Sequence, residues 1–243
     1  MTLPEALDAE TGLTCVVGAG GKKTTLYALA DRLDRAVVTA TVRIPIFDAE
    51  VAEVVVTERP QTVVSDARSW PLGLVPERER DDRYRGYDLE TVADLAEAHS
   101  GPVLVKADGA RTRWLKAPNE REPRIPAAAD TVVPIASARV VGKSLSAEHV
   151  HRPERVAAVA GREESAEIRP EDVAAVLASD DGGLKGVPED ATAVPVVNMV
   201  DSPELEETAR EIADEVLAHA PDSVPRVVLT RMVADDPVVA VAE

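Results

Sequence analysis

The chain has 243 residues with 44 acidic against 27 basic side chains, a net charge of −17, which argues against a nucleic-acid backbone as a general partner. Its single cysteine, Cys15, excludes an intrachain disulfide and a multi-cysteine metal centre. No run of about 18 apolar residues and no basic-then-apolar leader occurs, so a cytoplasmic protein with no membrane partner is expected.

Along the chain, Leu13 to Val17 is the first apolar run, and it leads through Gly18-Ala-Gly-Gly21 into a helical pattern from Thr24 to Leu33. Further apolar runs at Ala36 to Thr39 and Val54 to Thr57 predict strands. Residues 71–87, PLGLVPERERDDRYRGY, are rich in Pro, Arg and Asp and predict an exposed insertion or loop. A helix over Leu89 to Ala98 follows, then strands at Pro102 to Ala107, Thr131 to Ala136 and Ala193 to Val197. Ser202 is placed as the N-cap of a helix with Pro203 at its first position and Leu205, Ala209, Ile212 and Val216 on one face; Arg226 to Leu229 is the last strand. Continuous Val-rich strands alternating with helices predict one α/β domain over 1–243, a mostly parallel sheet with helices on both faces.

The stretch VVGAGGKKTTLYALA carries the chemistry. Small residues between a strand and a helix let backbone N–H groups turn onto an anion, and the helix N-terminus adds partial positive charge. The dinucleotide pattern G-x-G-x-x-G needs a glycine at position 23, where Lys23 stands, so that reading fails. The pattern G-x-x-x-x-G-K-[ST] is not matched from Gly18 either. If Lys23 meets phosphate, Thr24 supplies a magnesium hydroxyl and Thr25 follows; if Lys22 does, Lys23 takes the hydroxyl position. The first assignment keeps the metal chemistry intact and is preferred.

Asp108, after an apolar strand and before Gly109, is the carboxylate expected to hold magnesium directly or through water. Thr39 and Thr41, at the end of the second strand, are hydroxyls placed to face the same ion. Arg111, Arg113 and Lys116 follow Asp108 and can clamp phosphates or a second anionic substrate. His149 and His151 are too isolated for a metal site. Asn198-Met-Val-Asp201 echoes the Asn-Lys-x-Asp segment with which GTPases read guanine: Asn198 would hold the loop and Asp201 would accept the guanine N–H groups.

With the segment KADGARTRWLKAPNEREPRIP, residues 106–126, the chain resembles the YqeC family, accessory proteins of selenium-dependent molybdenum hydroxylases. The resembling segments are Gly18 to Thr25, Ala107 to Ala110, Lys116-Ala-Pro118, Glu122-Pro123, His151-Arg-Pro-Glu154 and Gly183-Leu-Lys-Gly186. The resemblance implies a P-loop NTPase-like fold and a role in making or inserting a selenium or molybdenum cofactor, with ATP or GTP and magnesium bound and a molybdenum hydroxylase or its cofactor as partner. It also implies a polar network at Arg152 and Glu154. Two departures stand out, the doubled Lys22-Lys23 and Lys106 in place of the family's Glu. Nucleotide contacts are thus assigned to Gly18, Ala19, Gly20, Gly21, Lys22, Lys23, Thr24, Thr25, Asn198 and Asp201. Magnesium contacts are assigned to Thr24, Thr41 and Asp108, and catalysis to Lys23, Asp108, Arg111 and Lys116. Three readings stay open: magnesium-dependent NTP hydrolysis or group transfer, a nucleotide-gated cofactor chaperone or delivery module, and a small-molecule kinase or ligase.

Overall fold

The computed structural model describes residues 1–243. Ten strands form one sheet: β1 Leu13–Gly18, β2 Val37–Ala40, β3 Glu53–Val56, β4 Leu72–Val75, β5 Val103–Lys106, β6 Thr131–Ser137, β7 Thr192–Ala193, β8 Val196–Asn198, β9 Val227–Thr230 and β10 Val238–Ala242. Their spatial order is β10-β9-β8-β6-β1-β5-β2-β4-β3, with β7 also pairing β6. Every pair is parallel except β9 with β10. This is the expected mixed α/β architecture, consistent with a P-loop NTPase-like fold.

Covering helices explain why the strands read as unbroken apolar runs. On β1, Leu13, Cys15 and Val17 pack on the face that carries Val92 and Leu95 of α3 (Leu89–Ala98). Val16 points the other way, onto Leu26 and Leu29 of α2 (Lys22–Ala30), a cluster that also takes in Leu3 and Ala6 of α1 (Leu3–Ala6). The half of the sheet beyond β6 is covered by α4 (Pro153–Ala160), α5 (Pro170–Leu177) and α6 (Pro203–His219). Burying each such Leu or Val contributes about 1.5–3 kcal/mol, so β1 sits where the fold is held most firmly. Ser202 caps α6, its hydroxyl accepting from the Leu205 N–H at 3.3 Å, with Pro203 opening the first turn. No helix is long and apolar enough to cross a membrane.

Four boundaries differ from the sequence reading. Helix α2 starts at Lys22 and ends at Ala30, so both lysines belong to its first turn. Within residues 71–87, Leu72–Val75 is a fully buried strand between β2 and β3, and only the remainder is loop and short pairing. Its apolar run is four residues long and broken by Gly73, too short for periodicity to register. The Ala193 to Val197 run divides at Pro195, which has no N–H for the ladder, into β7 and β8. The antiparallel edge strand β10 was not anticipated.

The strand order reverses at β1: β2 to β5 lie on one side of it and β6 to β10 on the other. Loops after β1, β5 and β6 therefore diverge and leave a crevice at the carboxyl ends of these strands, the usual ligand position in such sheets.

Candidate functional site

The loop after β1 is held by its neighbours and leaves its amides free. Ala19 N–H donates to Ile135 O (2.8 Å) and Gly20 N–H to Arg113 O (2.9 Å). Gly18 and Gly21 have φ of 86° and 136°, and a Cβ on either would overlap Ile135 O or Asn198 Nδ2 respectively. Asn198 braces this turn: its Nδ2 donates to Gly20 O (2.8 Å), while its Oδ1 accepts from Thr230 Oγ1 (3.0 Å) and Met232 N–H (3.3 Å). The N–H groups of Gly21, Lys22, Lys23 and Thr24 meet no acceptor in the chain, and no side chain caps α2. Four backbone donors are thus left free at the start of α2.

Beneath the loop lies a buried charge cluster. Lys22 Nζ donates to Gly18 O and stands 3.0 Å from Asp108 Oδ1. Asp108 Oδ2 accepts from Gly18 N–H (2.9 Å) and Lys116 Nζ (2.7 Å). Lys116 Nζ also donates to Gly109 O (2.6 Å) and Glu122 Oε2 (3.0 Å), and Arg152 Nη1 reaches the same Glu122 oxygen at 2.7 Å. Burial alone would raise the Asp108 pKa, but Lys22 and Lys116 outweigh it and hold the carboxyl below its ordinary range. Glu122 follows the same balance, lowered by Lys116 and Arg152 against burial. Lys106, at the end of β5, donates to Arg43 O (2.9 Å) and has no carboxylate partner. Burial, helped by Lys22, pushes its ammonium down to about 7.

These groups open into a cleft of about 730 Å³. Its wall carries eight cations, Lys22, Lys23, Arg43, Arg83, Lys106, Arg111, Arg113 and Arg152, against one carboxylate, Glu122. In a chain of net charge −17 that is a strong local inversion. Arg43 pairs with Glu79 (2.5 Å) and Arg83 with Asp82 (3.3 Å), whereas Lys23, Lys106, Arg111 and Arg113 have no carboxylate within ion-pair distance. Arg111 and Thr112 are held in left-handed conformations (φ 48° and 61°), as is Arg152 (φ 64°), where non-glycine backbone is strained. Half-buried Trp114 stands on the cleft wall with its ring stacked on His149, centroids 5.2 Å apart. His151, also on the wall, is kept neutral by burial, Arg152 and Lys116, its pKa pushed down to about 4.

The structure thus brings together Gly18 to Thr25, Asp108, Arg111 and Lys116, and it separates others. Lys23 is exposed on the cleft wall, while Lys22 lines the same wall from a buried position. Thr24 faces the cleft; Thr25 is buried and donates to Gly21 O (3.2 Å). Thr39 Oγ1 donates to Leu74 O (2.7 Å) and Thr41 Oγ1 to Arg124 O (2.6 Å), and neither lines the cleft. Asp201 pairs with Arg139 (2.5 Å) away from the wall, and Asn198 Nδ2 donates to Gly20 O. Met199 faces the cleft instead. Arg43, Arg83 and the clamp on Glu122 escaped the sequence reading. The signal for Lys106 was lysine scarcity, for of six lysines four (Lys22, Lys23, Lys106, Lys116) meet here.

The residues expected around magnesium do not fit one. Thr41 and Asp108 do not share a wall with Thr24, the Asp108 oxygens face Lys22 and Lys116 although Oδ1 accepts no hydrogen bond, and no group of three acidic, His or Cys side chains is disposed to hold a metal.

A family model described as YqeC protein matches residues 14–154. A relative named Uncharacterized protein YqeC, from Escherichia coli (strain K12), is 28% identical over 190 residues, covering 75% of this chain and 74% of its own length. The family match takes in more than half the chain, including the Gly18 to Thr25 loop, Asp108, Lys116, Glu122 and Arg152. The chain belongs to the YqeC family.

Proposed function

We propose that this protein binds a nucleoside triphosphate, ATP or GTP, by its phosphates at the Gly18 to Thr25 loop. Bound nucleotide then gates an accessory step in the maturation of selenium-dependent molybdenum hydroxylases, the making or insertion of a selenium or molybdenum cofactor. One observation carries the nucleotide reading: four unpartnered amides, Gly21 to Thr24, face a cleft walled by eight cations. Lys23, exposed and unpaired, is the lysine that reaches phosphate, and Lys22 balances Asp108 below. Arg111 and Arg113 face the far end of the chain of phosphates or a second anionic substrate, and Trp114 and Met199 offer apolar surface to a base. The maturation role rests on the Ala107 to Ala110, Lys116 to Pro118 and Glu122-Pro123 segments that the chain shares with the family.

Among the turnover readings, a nucleotide-gated binding or delivery module is favoured. The cleft's one carboxylate, Glu122, is tied to Lys116 and Arg152, and neutral His151, with a pKa near 4, is a weak base for activating water or a hydroxyl. Equilibrium binding of ATP and GTP to wild type, Lys22→Ala and Lys23→Ala tests the proposal. Losing one charge-assisted contact in Lys23→Ala should weaken binding about tenfold or more. Absence of binding to wild type refutes the nucleotide reading, and equal affinity in all three proteins refutes the placement of phosphate at this loop. Fast steady-state hydrolysis by the isolated protein refutes the gating form of it.

A further inference from the structure

Deepening the nucleotide reading above, and resting on it, we infer that the phosphate chain is neutralised here by lysine and arginine side chains in place of a divalent cation. A metal at a triphosphate is held by oxygens, typically a hydroxyl just after the Gly-Lys of the loop and a carboxylate at the end of the neighbouring strand. In this chain the residue after Gly21-Lys22 is Lys23, and the residue that ends β5 against the cleft is Lys106. Counted from Lys22, both oxygen positions carry an ammonium; counted from Lys23, the hydroxyl is that of Thr24 and the strand-end position still carries the Lys106 ammonium.

The carboxylates that remain already face cations, Asp108 Oδ1 by an ion pair with Lys22 that makes no hydrogen bond. Asp108 is 1% exposed, with Oδ1 beside Lys22 and Oδ2 bonded to Lys116. The Lys116 ammonium itself stands among three oxygens, those of Asp108, Glu122 and Gly109, at 2.7, 3.0 and 2.6 Å. An oxygen cage fit for a cation is there, and a side chain fills it.

Charge counting agrees. After internal pairing, Lys23, Lys106, Arg111 and Arg113 are left on the wall without carboxylates. A triphosphate carries about −2 on its terminal phosphate and roughly −1 on each inner one, which these four groups match. A magnesium ion would add two positive charges beside Lys23 and Lys106 with no oxygen ligand freed to offset them.

Calorimetric binding of ATP at fixed ionic strength, once with EDTA and once with excess magnesium, tests this. The wild type should bind within about twofold in the two conditions, a difference under 0.5 kcal/mol. In the double variant Lys23→Thr/Lys106→Glu, which restores a hydroxyl and a carboxylate, magnesium should improve binding about tenfold or more. The exposed single variant Lys23→Thr, which leaves the buried cluster intact, should show a smaller shift in the same direction. Wild-type binding that is lost in EDTA overturns this inference alone. So does a folded double variant that remains indifferent to magnesium. Absence of ATP binding in both conditions overturns the inference together with the nucleotide reading.

Discussion

Lys116 Nζ lies 2.7 Å from Asp108 Oδ2, and neither side chain is more than 2% exposed. Eight residues apart in sequence, they join the segment after β5 to the short strand Leu115–Lys116, and through Glu122 and Arg152 to the start of α4. This pair is the pin that holds the cleft's floor to its far wall.

Removing the pin leaves buried Asp108 with Lys22 as its one cation and Glu122 with Arg152 as its one cation. Lys116→Ala should therefore destabilise the protein by about 3 to 5 kcal/mol, the usual loss when one member of a buried pair is deleted. Urea unfolding measures it, and an unchanged midpoint would show that the cluster does not hold the wall.

Asn198→Ala removes three hydrogen bonds and leaves Gly20 O, Thr230 Oγ1 and Met232 N–H without that partner. A cost of about 1 to 3 kcal/mol follows for the unpaired groups, together with weaker nucleotide binding as the loop loosens. Asn198→Asp should bind still less well, since its carboxylate would face Gly20 O without a donor. Wild-type affinity in both variants would mean that the loop keeps its shape unaided.

Lys106 sets the pH response. Lys22, Lys116, Asp108 and Glu122 are the charged groups about it, Arg43 offers its carbonyl, and burial brings its pKa to about 7. Charged below that value and neutral above it, Lys106 attracts phosphate at low pH, and a bound polyanion restores its proton. Affinity should fall as pH rises through about 7, with protons taken up on binding, a change that Lys106→Met abolishes. His151 is already neutral near pH 7 and adds nothing there. For folding the sign is opposite: between about pH 7 and the unfolded lysine value near 10.4 the unfolded chain holds the extra proton, so stability rises with pH. Calorimetry in buffers of differing ionisation enthalpy reads the uptake, and none at about pH 7.5 would contradict this account of Lys106.

The sequence was informative where chemistry is local. Gly18 to Thr25 reads as an anion loop because strand, glycines and helix start are contiguous, and Asp108 and Lys116 lie within one short segment. Arg43 and Arg83 were not legible, because the chain brings them together only through the two-residue pairing of Ile44–Pro45 with Arg83–Tyr84. Asn198 was legible as a loop brace, whereas the ion pair of Asp201 with Arg139 was not, since spacing does not reveal it. Strand β4 was hidden by Gly73 and by the prolines on either side of it, Pro71 and Pro76. The magnesium ligands were inferred from residue type, whereas burial decided which oxygens are free.

The most direct test of the central claim reads the loop's own amides. In a nitrogen–proton correlation spectrum titrated with ATP, the N–H signals of Gly21, Lys22, Lys23 and Thr24 should move together and saturably, with Arg111 and Arg113 following. Saturable shifts confined to other parts of the protein, with these four amides unmoved, would contradict the account.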